Sequence, residues 1–522
     1  MEIWYITLVS VSLVFLIRAL FCFVQSSTKT KITNPVPPGP AHIPIITPIK
    51  WLIKSFSEIE PILRTLHAKY GPMVTLRIGS RPTIFIADRS LAHQALIQNG
   101  ALFAYRPRSL PVNKITSSNQ HNISSASYGP TWRLLRRNLA AEMLHPSRVK
   151  SFTQTRKWVL HVLLNHLHSD SKSNDSVKVK DHFQLAMFSL LVFMCFGQRV
   201  DDEKLSDVER VQRALLLGIN NRFNVLNFWP KITKFLFRKR WQEFLKIRRD
   251  QEEVLVPLII ERKKAKESGL LNYNNNPLAY VDTLLDLKLP EEGQRNLDEG
   301  EMVTLCSEFL TAGTDTTSTA LEWIMANLVK YQQVQQRLVE EIGKIVAVKD
   351  SGNKEKEVIN EEDLEKLPYL KAVVLEALRR HPPGHFVLPH AVSEDVVFNG
   401  YLVPKKGTVN FMVAEIGWDP QVWEDPMAFK PERFLNEDCS EVEAFDITGT
   451  KEIKMMPFGA GRRICPGYNL ALLHLEYFVA NLVWNFDWKV PKGGDVDLSE
   501  KQEFTIVMKN PLRAHISPRI HN

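Results

Sequence analysis

A single cysteine stands between a glycine-rich loop and an apolar helical pattern in the stretch PFGAGRRICPGYNLALLHLEY, residues 457–477. The run from Gly459 begins like a dinucleotide-binding turn, but Ile464 occupies the place of the third glycine and no strand pattern leads into it. The stretch also lacks the Gly-Lys-Ser/Thr of a phosphate-binding loop, and no second cysteine lies close enough to share a zinc ion. Cys465 therefore acts alone, or it is simply a small buried hydrophobic residue.

The composition fits a large protein of a reducing compartment. The chain has 522 residues, of which 44% are hydrophobic, enough for one very large core or two ordinary ones. Its five cysteines are odd in number and widely scattered, which argues against a disulfide framework. The net charge of +8 is mild for this length, so we expect no nucleic acid as a partner, but rather an anionic membrane or an acidic protein.

An apolar segment at the amino terminus predicts a membrane anchor over residues 1–26. Residues 3–24 have few polar interruptions, and as a helix they would span about 33 Å at ~1.5 Å per residue, near the ~30 Å of a hydrocarbon core. Lys29 and Lys31 follow the segment, whereas only Glu2 precedes it, so the rest of the chain is expected on the cytosolic side. A cleaved signal peptide is the alternative, and the length of the apolar run disfavours it.

A proline-rich stretch follows, residues 27–40, and predicts a semi-rigid hinge. Beyond the hinge we find no second linker and no repeat, so residues 41–522 are predicted to form one domain. The pattern of this domain is mainly α with a small β portion. Residues 73–88 predict a β-hairpin with its turn at Gly79-Ser-Arg-Pro82.

A long helical pattern begins after Asp298, a good N-cap residue, and continues to about Tyr331. Its middle, residues 312–318, reads AGTDTTS, a poor helix interior because glycine adds backbone entropy and threonine hydroxyls compete for backbone carbonyls. Two interpretations remain open at this point. The pattern forms two helices separated by a glycine cap, or one helix that places hydroxyl groups beside a ligand at mid-length.

A further helical segment carries Glu376 and Arg379 three residues apart and ends at two prolines. Taken alone, this spacing predicts an ordinary surface ion pair of small energetic value. Arg433, in the downstream stretch FKPERFL, is a candidate third member. Two arginines around one carboxylate would form a network able to pin chain segments together.

Four motifs in this order resemble the cytochrome P-450 family of haem-thiolate monooxygenases: Ala312-Gly-Thr-Asp-Thr-Thr317, Glu376-x-x-Arg379, Pro431-Glu-Arg-Phe434 and Phe458-x-x-Gly-x-Arg-x-Cys465-x-Gly467. The anchor, the hinge and the stretch YGPTWRLLRRNL, residues 128–139, resemble the plant endoplasmic-reticulum members. The resemblance implies a P-450-like haem fold on a single-pass anchor in that membrane, with a cytosolic catalytic domain. The closing stretch FTIVMKNPLRAHISPR also resembles a plant subfamily that includes an enzyme deformylating chlorophyll breakdown products.

The resemblance implies that Cys465 binds the iron of haem b as a thiolate. Gly467 would begin the following helix, whose N–H groups are expected to point at the sulfur and lower its pKa. Phe458 would cover the sulfur and exclude water.

Three further side chains, Arg463, Trp132 and Arg136, are implied to hold the haem propionates. Without a haem, Trp132 and Arg136 would belong to an amphipathic surface helix. In the segment GHFVLPHAV, His390 stands where many relatives carry a propionate-binding arginine, and it is a candidate for the same contact.

The carried-over catalytic residues are Asp315 and Thr316, which would deliver protons during the activation of dioxygen. Gly313 is expected to leave room for dioxygen. By resemblance, Glu376, Arg379 and Arg433 form a structural network on the cysteine side of the haem.

The expected reaction is insertion of one oxygen atom from dioxygen into a hydrophobic small molecule, with electrons from NADPH passed by an NADPH-cytochrome reductase. Membrane lipid is a further expected partner, and residues 228–241 either touch the membrane or form a solvated amphipathic helix. A haem-thiolate isomerase or dehydratase, and a non-catalytic haem sensor, are the alternatives. The substrate walls are expected around residues 110–127, at Phe309 and Ala312, and in the segments 386–388 and 504–507.

A cationic face is expected on the cysteine side of the haem, as a docking surface for an acidic reductase. Its candidate members are Arg136, Arg137, Lys454 and Arg462.

Overall fold

The structure is a computed structural model that describes residues 10, 14, 18, 34–41, 51, 54–78, 81–173, 175–227, 230–270, 277–349, 358–436 and 445–520. The predicted anchor, residues 1–26, and the first part of the hinge, residues 27–33, lie outside the described residues except for three isolated positions. The anchor and the membrane topology therefore stay predictions.

Helices dominate the described chain. In chain order they are α1 Phe56–Tyr70, α2 Arg89–His93, α3 Pro111–Thr116, α4 Pro130–Asn138, α5 Pro146–Ser151, α6 Thr153–Ser173, α7 Val179–Phe196, α8 Asp202–Asn221, α9 Pro230–Leu236, α10 Arg238–Glu267, α11 Tyr280–Leu284, α12 Glu299–Lys330, α13 Gln332–Lys349, α14 Pro368–Arg380, α15 Val413–Gly417 and α16 Tyr468–Asn485. Short π-helical turns follow α2 and α4, at Gln94–Gln98 and Leu139–Met143. Turns of 3₁₀ helix lie at Asn224–Asn227, Glu361–Lys366, Pro431–Phe434 and Gly461–Arg463.

The strands are short and form small sheets. They are β1 Met73–Ile78, β2 Arg81–Ile86, β3 Val177–Lys178, β4 Lys288–Leu289, β5 Arg295–Asn296, β6 Val396–Phe398, β7 Tyr401–Val403, β8 Thr408–Phe411, β9 Phe486–Lys489, β10 Glu500–Gln502, β11 Ile506–Met508 and β12 Arg513–Pro518. Two sheets have three strands, in the orders β1-β2-β8 and β3-β12-β9, and three pairs are two-stranded: β4-β5, β6-β7 and β10-β11. The predicted mainly α architecture with a small β portion is confirmed.

The chain divides into two compact units. The small unit contains Met1–Pro107 and Phe386–Met412, and the large unit contains Arg108–His385 and Val413–Asn522. Among the described helices of 18 residues or more, α7 alone is apolar and long enough to cross a membrane, but 67% of its residues are buried inside the large unit. We interpret α7 as a core helix.

The predicted hairpin lies in the small unit. β1 pairs antiparallel with β2, and β2 pairs parallel with β8. The alternation of apolar residues puts Leu76 and Phe85 into a core that also receives Leu63 from α1. The predicted turn, residues 79–82, contains two residues too many, because Arg81 and Pro82 already belong to β2.

The long helix α12 is the centre of the large unit and is continuous. Asp298 accepts a hydrogen bond from the Glu301 N–H at 2.8 Å, and the Glu301 carboxylate accepts one from the Asp298 N–H at 2.8 Å, a complete capping box. The interpretation as two helices with a glycine cap is therefore wrong. Most residues of α12 are buried, so packing outweighs the poor intrinsic propensity of its middle.

The glycine in the middle of α12 has a packing role. A Cβ atom on Gly313 would overlap the Cδ1 atom of Leu191 on α7. The space that a side chain would take here is filled by Leu191, and the expectation that Gly313 leaves room for dioxygen stays a prediction. The glycine lets two core helices approach closely.

Candidate functional site

The loop before α16 folds back on itself and presents Cys465. The Cys465 N–H donates a hydrogen bond to the Phe458 carbonyl at 2.8 Å, which closes the loop. Gly459 and Gly461 have φ angles of 70°, a left-handed conformation that favours glycine. Gly467 is the N-cap of α16, as the sequence predicts. The Phe458 ring is half-buried and lies 6.2 Å from the Tyr468 ring.

Burial raises the pKa of the Cys465 thiol above its ordinary value of 9.0. The Gly467 N–H and the positive charge of Arg136 act in the opposite direction. The expectation that the helix start lowers the pKa is confirmed for the Gly467 N–H, while the larger effect of desolvation raises it. A buried sulfur with a backbone N–H donor and a nearby cation suits binding of a metal cation as a thiolate, since the metal charge offsets the desolvation.

Two half-buried arginines flank this loop. Arg136, from α4, donates a hydrogen bond to the Ile464 carbonyl at 2.7 Å. Arg463 donates to the Ala126 carbonyl at 2.6 Å, and its guanidinium lies 4.3 Å from the centre of the Trp132 ring. Burial and the charge of Arg136 lower the pKa of Arg463 to about 10. Two partly desolvated cations side by side favour binding of an anion, so these residues fit a group that carries carboxylates.

Trp132 is an interior residue. Its side chain is buried, and its indole N–H donates a hydrogen bond to the Ile123 carbonyl at 3.1 Å. The alternative of a purely amphipathic surface helix is wrong for the inner face of α4. The outer face carries the exposed Arg133 and Arg137.

Asp315 and Thr316 lie at mid-length of α12, where burial is interrupted and Ala312 is exposed. The Thr316 hydroxyl donates to the Ala312 carbonyl at 2.6 Å. Burial raises the pKa of Asp315 to about 6, against the lowering effect of Arg213 and Lys180. A carboxyl with a pKa near 6 can both hold and release a proton near neutral pH.

Asp315 lines a cleft of the large unit whose wall is formed mainly by polar residues. The cleft is lined by Lys180, Gln184, Arg213, Leu216, Leu217, Asp315, Ser318, Thr319, Glu322, Glu503, Phe504, Thr505 and Val507. Thr505 is hydrogen-bonded through its hydroxyl to Thr319 at 2.9 Å, and Ile506 accepts a bond from the Trp323 indole at 2.8 Å. The β10-β11 hairpin, which includes the predicted wall 504–507, is thereby fixed to α12.

The structure brings Glu376, Arg379 and Arg433 together. Glu376 and Arg379 form a bidentate pair at 2.6 and 2.8 Å with both side chains 0% exposed, and Arg433 Nε lies 3.3 Å from Glu376 Oε1. Arg379 also donates to the Gly417 and Pro426 carbonyls. The interpretation as an ordinary surface ion pair is wrong, because this pair is fully buried and fastens three chain segments.

His390 belongs to the small unit. It is buried, its Nδ1 lies 2.7 Å from the Phe103 carbonyl, and its backbone bridges to Val409. The imidazole is thus held by a backbone carbonyl of its own unit. A contact between His390 and haem stays a prediction.

Trp418, for which the sequence suggests no role, has a structural one. Its indole N–H donates to the Arg380 carbonyl at 3.1 Å, at the end of α14, and its ring lies edge-on to His385.

His381 stacks on Trp323 with 4.0 Å between ring centres, and its Nδ1 lies 3.2 Å from Glu500. In the part of the chain that the structure describes, no group of three His, Cys, Asp or Glu suited to a metal occurs.

Sequence reasoning missed two acidic residues of α12 that hold residues 117–126. Glu301 contacts His121, and Glu308 accepts hydrogen bonds from the N–H groups of Ile123 and Ser124 at 2.8 and 2.7 Å. These partners are about 180 residues apart in the chain, and no local signal links them.

The family model described as Cytochrome P-450 matches residues 37–517 of this chain. This chain belongs to the cytochrome P-450 family. It is 50% identical over 495 residues to cytochrome P-450 89A9 of Arabidopsis thaliana. The aligned residues make up 93% of this chain and 94% of that relative. It is also 31% identical over 517 residues to 5-epiaristolochene 1,3-dihydroxylase of Nicotiana tabacum, with 97% and 98% covered.

Among solved structures, a zebra fish cytochrome P-450 with progesterone superposes on this chain with a TM-score of 0.70 and 24% sequence identity. The superposed region covers 88% of this chain and 99% of the zebra fish chain. This likeness supports the P-450 fold. The family uses a haem bound through a thiolate together with dioxygen, so the chain is a cytochrome P-450 monooxygenase with plant relatives.

Proposed function

We propose that this protein is a membrane-anchored monooxygenase of the plant endoplasmic reticulum that oxidises a hydrophobic small molecule, with electrons from NADPH passed by a reductase. The observation that carries the proposal is the Cys465 loop of the large unit. There a half-buried, desolvated thiol, a backbone N–H donor and two partly desolvated guanidinium groups occur together. This donor set suits a metal cation and a pair of carboxylates, as haem b presents them.

The haem contacts follow from this chemistry. Cys465 would hold the iron with the Gly467 N–H directed at its sulfur, and Phe458 would shield that sulfur from water. Arg136 and Arg463 would bind the propionates, with the Trp132 ring supporting the Arg463 guanidinium.

Bound haem would supply the activation of dioxygen, and the chain would supply protons and exclude bulk water. Asp315 would take protons from the polar cleft, where Lys180 and Arg213 stabilise its charged form. The Thr316 hydroxyl would exchange its bond to the Ala312 carbonyl for one to the reacting group. Removal of either function is expected to slow product formation without loss of haem.

The surface of α9 supports contact with lipid. Ile232, Phe235 and Leu236 are 57%, 81% and 66% exposed, and Lys234 lies 4.0 Å over the Trp241 ring in the next helix. Exposed apolar residues beside cations suit a membrane interface. A hydrophobic substrate dissolved in the membrane would then have a short route to the enzyme.

The test is expression of the full chain with a plant NADPH-cytochrome reductase in membranes, followed by incubation with a library of hydrophobic compounds that includes chlorophyll breakdown products. We expect a thiolate-type carbonyl Soret band in the reduced protein, loss of that band in Cys465→Ala, and products that appear only with NADPH. Retention of the band in Cys465→Ala would refute the thiolate assignment. Turnover without NADPH would instead identify an isomerase or dehydratase.

A further inference from the structure

A strained turn lies between α3 and α4 in the large unit. Ser118, Asn119 and Gln120 have φ angles of 43°, 59° and 71°, and none of them is glycine. Three consecutive left-handed residues are unfavourable, and they persist only when the surroundings hold them in place. The Ser118 hydroxyl donates to the Gly300 carbonyl at 3.0 Å, which ties the turn to the first turn of α12.

The residue after this turn, His121, lies between two carboxylates. Its Nδ1 is 2.5 Å from Glu301 of α12, and its Nε2 is 3.1 Å from Glu292, which lies between β4 and β5. The Nδ1 N–H donates a hydrogen bond to Glu301, because a carboxylate oxygen only accepts, whereas Nε2 and Glu292 are at ion-pair distance. A carboxylate on each side of the ring favours the imidazolium over the neutral imidazole. Arg295 of β5 also faces this group, binding Glu301 at 2.7 and 2.8 Å. The Glu301 carboxylate raises the pKa of His121, while burial and Arg295 lower it.

The segment that follows His121 binds Arg463, the arginine proposed to hold a haem propionate. The Ile123 carbonyl accepts hydrogen bonds from Trp132 at 3.1 Å and from Arg463 at 3.3 Å, and the Ala126 carbonyl accepts a second bond from Arg463 at 2.6 Å. The position of the Arg463 guanidinium therefore depends on the position of residues 123–126.

We propose that protonated His121, clamped between Glu301 and Glu292, is a positioning residue that holds the strained turn and, through residues 123–126, sets the place of Arg463. The second half of this inference rests on the proposed haem role of Arg463. Loss of the proton would turn a ring nitrogen lone pair toward a carboxylate, and the clamp would open.

The pH dependence has a definite sign. The pKa of His121 is raised by folding, so the clamp is complete below the ordinary value of 6.5 and is lost as the pH rises through the higher folded value. The variant His121→Gln carries no charge and has no proton that titrates in this range, so it should lack this dependence.

The first measurement is hydrogen exchange of residues 117–126 in the full-length holoprotein between about pH 6 and 9, expressed as protection factors corrected for intrinsic rates. In the wild type, protection should fall as the pH rises, and in His121→Gln it should be about tenfold lower at pH 6 and independent of pH. His182→Gln is the matched control, because His182 Nε2 also lies 2.9 Å from a carboxylate, that of Asp170, away from this turn. Wild-type protection in His121→Gln, or constant protection in the wild type, would overturn the clamp.

Glu292→Gln is a milder variant, because the Glu292 side chain is 39% exposed and only the outer carboxylate is removed. Its protection should fall at a lower pH than in the wild type, and an unchanged midpoint would contradict the two-carboxylate clamp. The second measurement is the rate of haem transfer to apomyoglobin. This rate should rise several-fold over the same pH range in the wild type and be fast at every pH in His121→Gln.

An unchanged transfer rate beside altered exchange would overturn the link to Arg463. Failure of the proposed function is distinguishable, because it would appear as absence of the thiolate-type carbonyl band while the exchange result stands.

Discussion

Asp315 should reduce the stability of the folded protein at neutral pH, because its carboxyl is both desolvated and charged there. Burial raises its pKa from 3.8 to about 6, and the cations Arg213 and Lys180 offset this only in part, since Glu209 and Glu503 act in the same direction as burial. The perturbation that tests this is Asp315→Asn, which keeps the shape of the side chain and is neutral at every pH.

The sign follows from proton binding. Because the folded pKa is the higher one, the unfolded chain releases this proton first, so the wild type loses stability as the pH rises from 3.8 to about 6 and stays at that lower level above it. At about 1.4 kcal/mol for each pKa unit, the loss is about 1.5 kcal/mol at pH 5 and about 3 kcal/mol at pH 8. Asp315→Asn should therefore gain about 1.5 kcal/mol over the wild type between these two pH values.

The assay is denaturant unfolding of the holoprotein at pH 5, 6.5 and 8 and constant ionic strength, with product formation measured on the same samples. The variant should be more stable at pH 8 and slower in turnover. Asp181→Asn is the control for the loss of an acidic side chain, because Asp181 is 68% exposed on α7. A stability difference between Asp315→Asn and the wild type that is constant across this range would refute the reasoning.

Three further outcomes are expected. Thr316→Ala should keep the haem spectrum but divert NADPH electrons into hydrogen peroxide, and Thr316→Ser should restore coupling, as a peroxide assay measures. Glu376→Ala leaves a buried guanidinium without its counter-charge, so it should lower the free energy of unfolding by about 3–5 kcal/mol and release much of the bound haem. Denaturant unfolding and haem absorbance measure the two effects, and both should be small in the control Glu432→Ala, where the carboxylate is 46% exposed. Arg137→Glu should slow the first electron transfer in stopped flow, more at low salt than at high salt, while Arg210→Glu on α8 should not.

The cationic face predicted for the reductase is smaller in the structure than in the sequence. Arg137 and Arg462 are exposed, but Arg136 is half-buried against the Ile464 carbonyl, and Lys454 lies 3.4 Å from the Glu452 carboxylate. The sequence shows charge but not burial, so it could not separate a docking arginine from an arginine directed inward.

The features that were predicted correctly have local signals. The start of α12 was readable because Asp298 and Glu301 are three residues apart, and the Cys465 loop because its glycines and the following apolar helix are contiguous. The contact between Glu376 and Arg379 was also readable, since residues three apart share a helix face. Its burial was not, because that depends on segments more than 35 residues away.

The features that were missed depend on pairs distant in the chain. The role of Gly313 is set by Leu191 on another helix, and the role of Trp418 by the carbonyl at the end of α14. The lowering effect of the helix start on the pKa of Cys465 was predicted correctly, whereas the larger raising effect of desolvation could not be, because sequence does not show how the sulfur is buried.

Four acidic residues of α12, Glu301, Glu308, Asp315 and Glu322, recur every seven positions, and three of them differ from the fourth in what they bind. Seven residues bring a helix back to within about 20° of the same direction, so the four carboxyls form a slowly turning stripe about 30 Å long. Glu301 binds His121 and Arg295, Glu308 binds two backbone N–H groups, and Glu322 accepts the Leu512 N–H at 2.9 Å. Among the described residues, the Asp315 carboxyl alone of the four accepts no such bond, although it is largely buried. Three acids are fixed by donors and hold chain segments on α12, and the fourth lines the cleft, where the proposed proton exchange needs a carboxyl that no donor fixes.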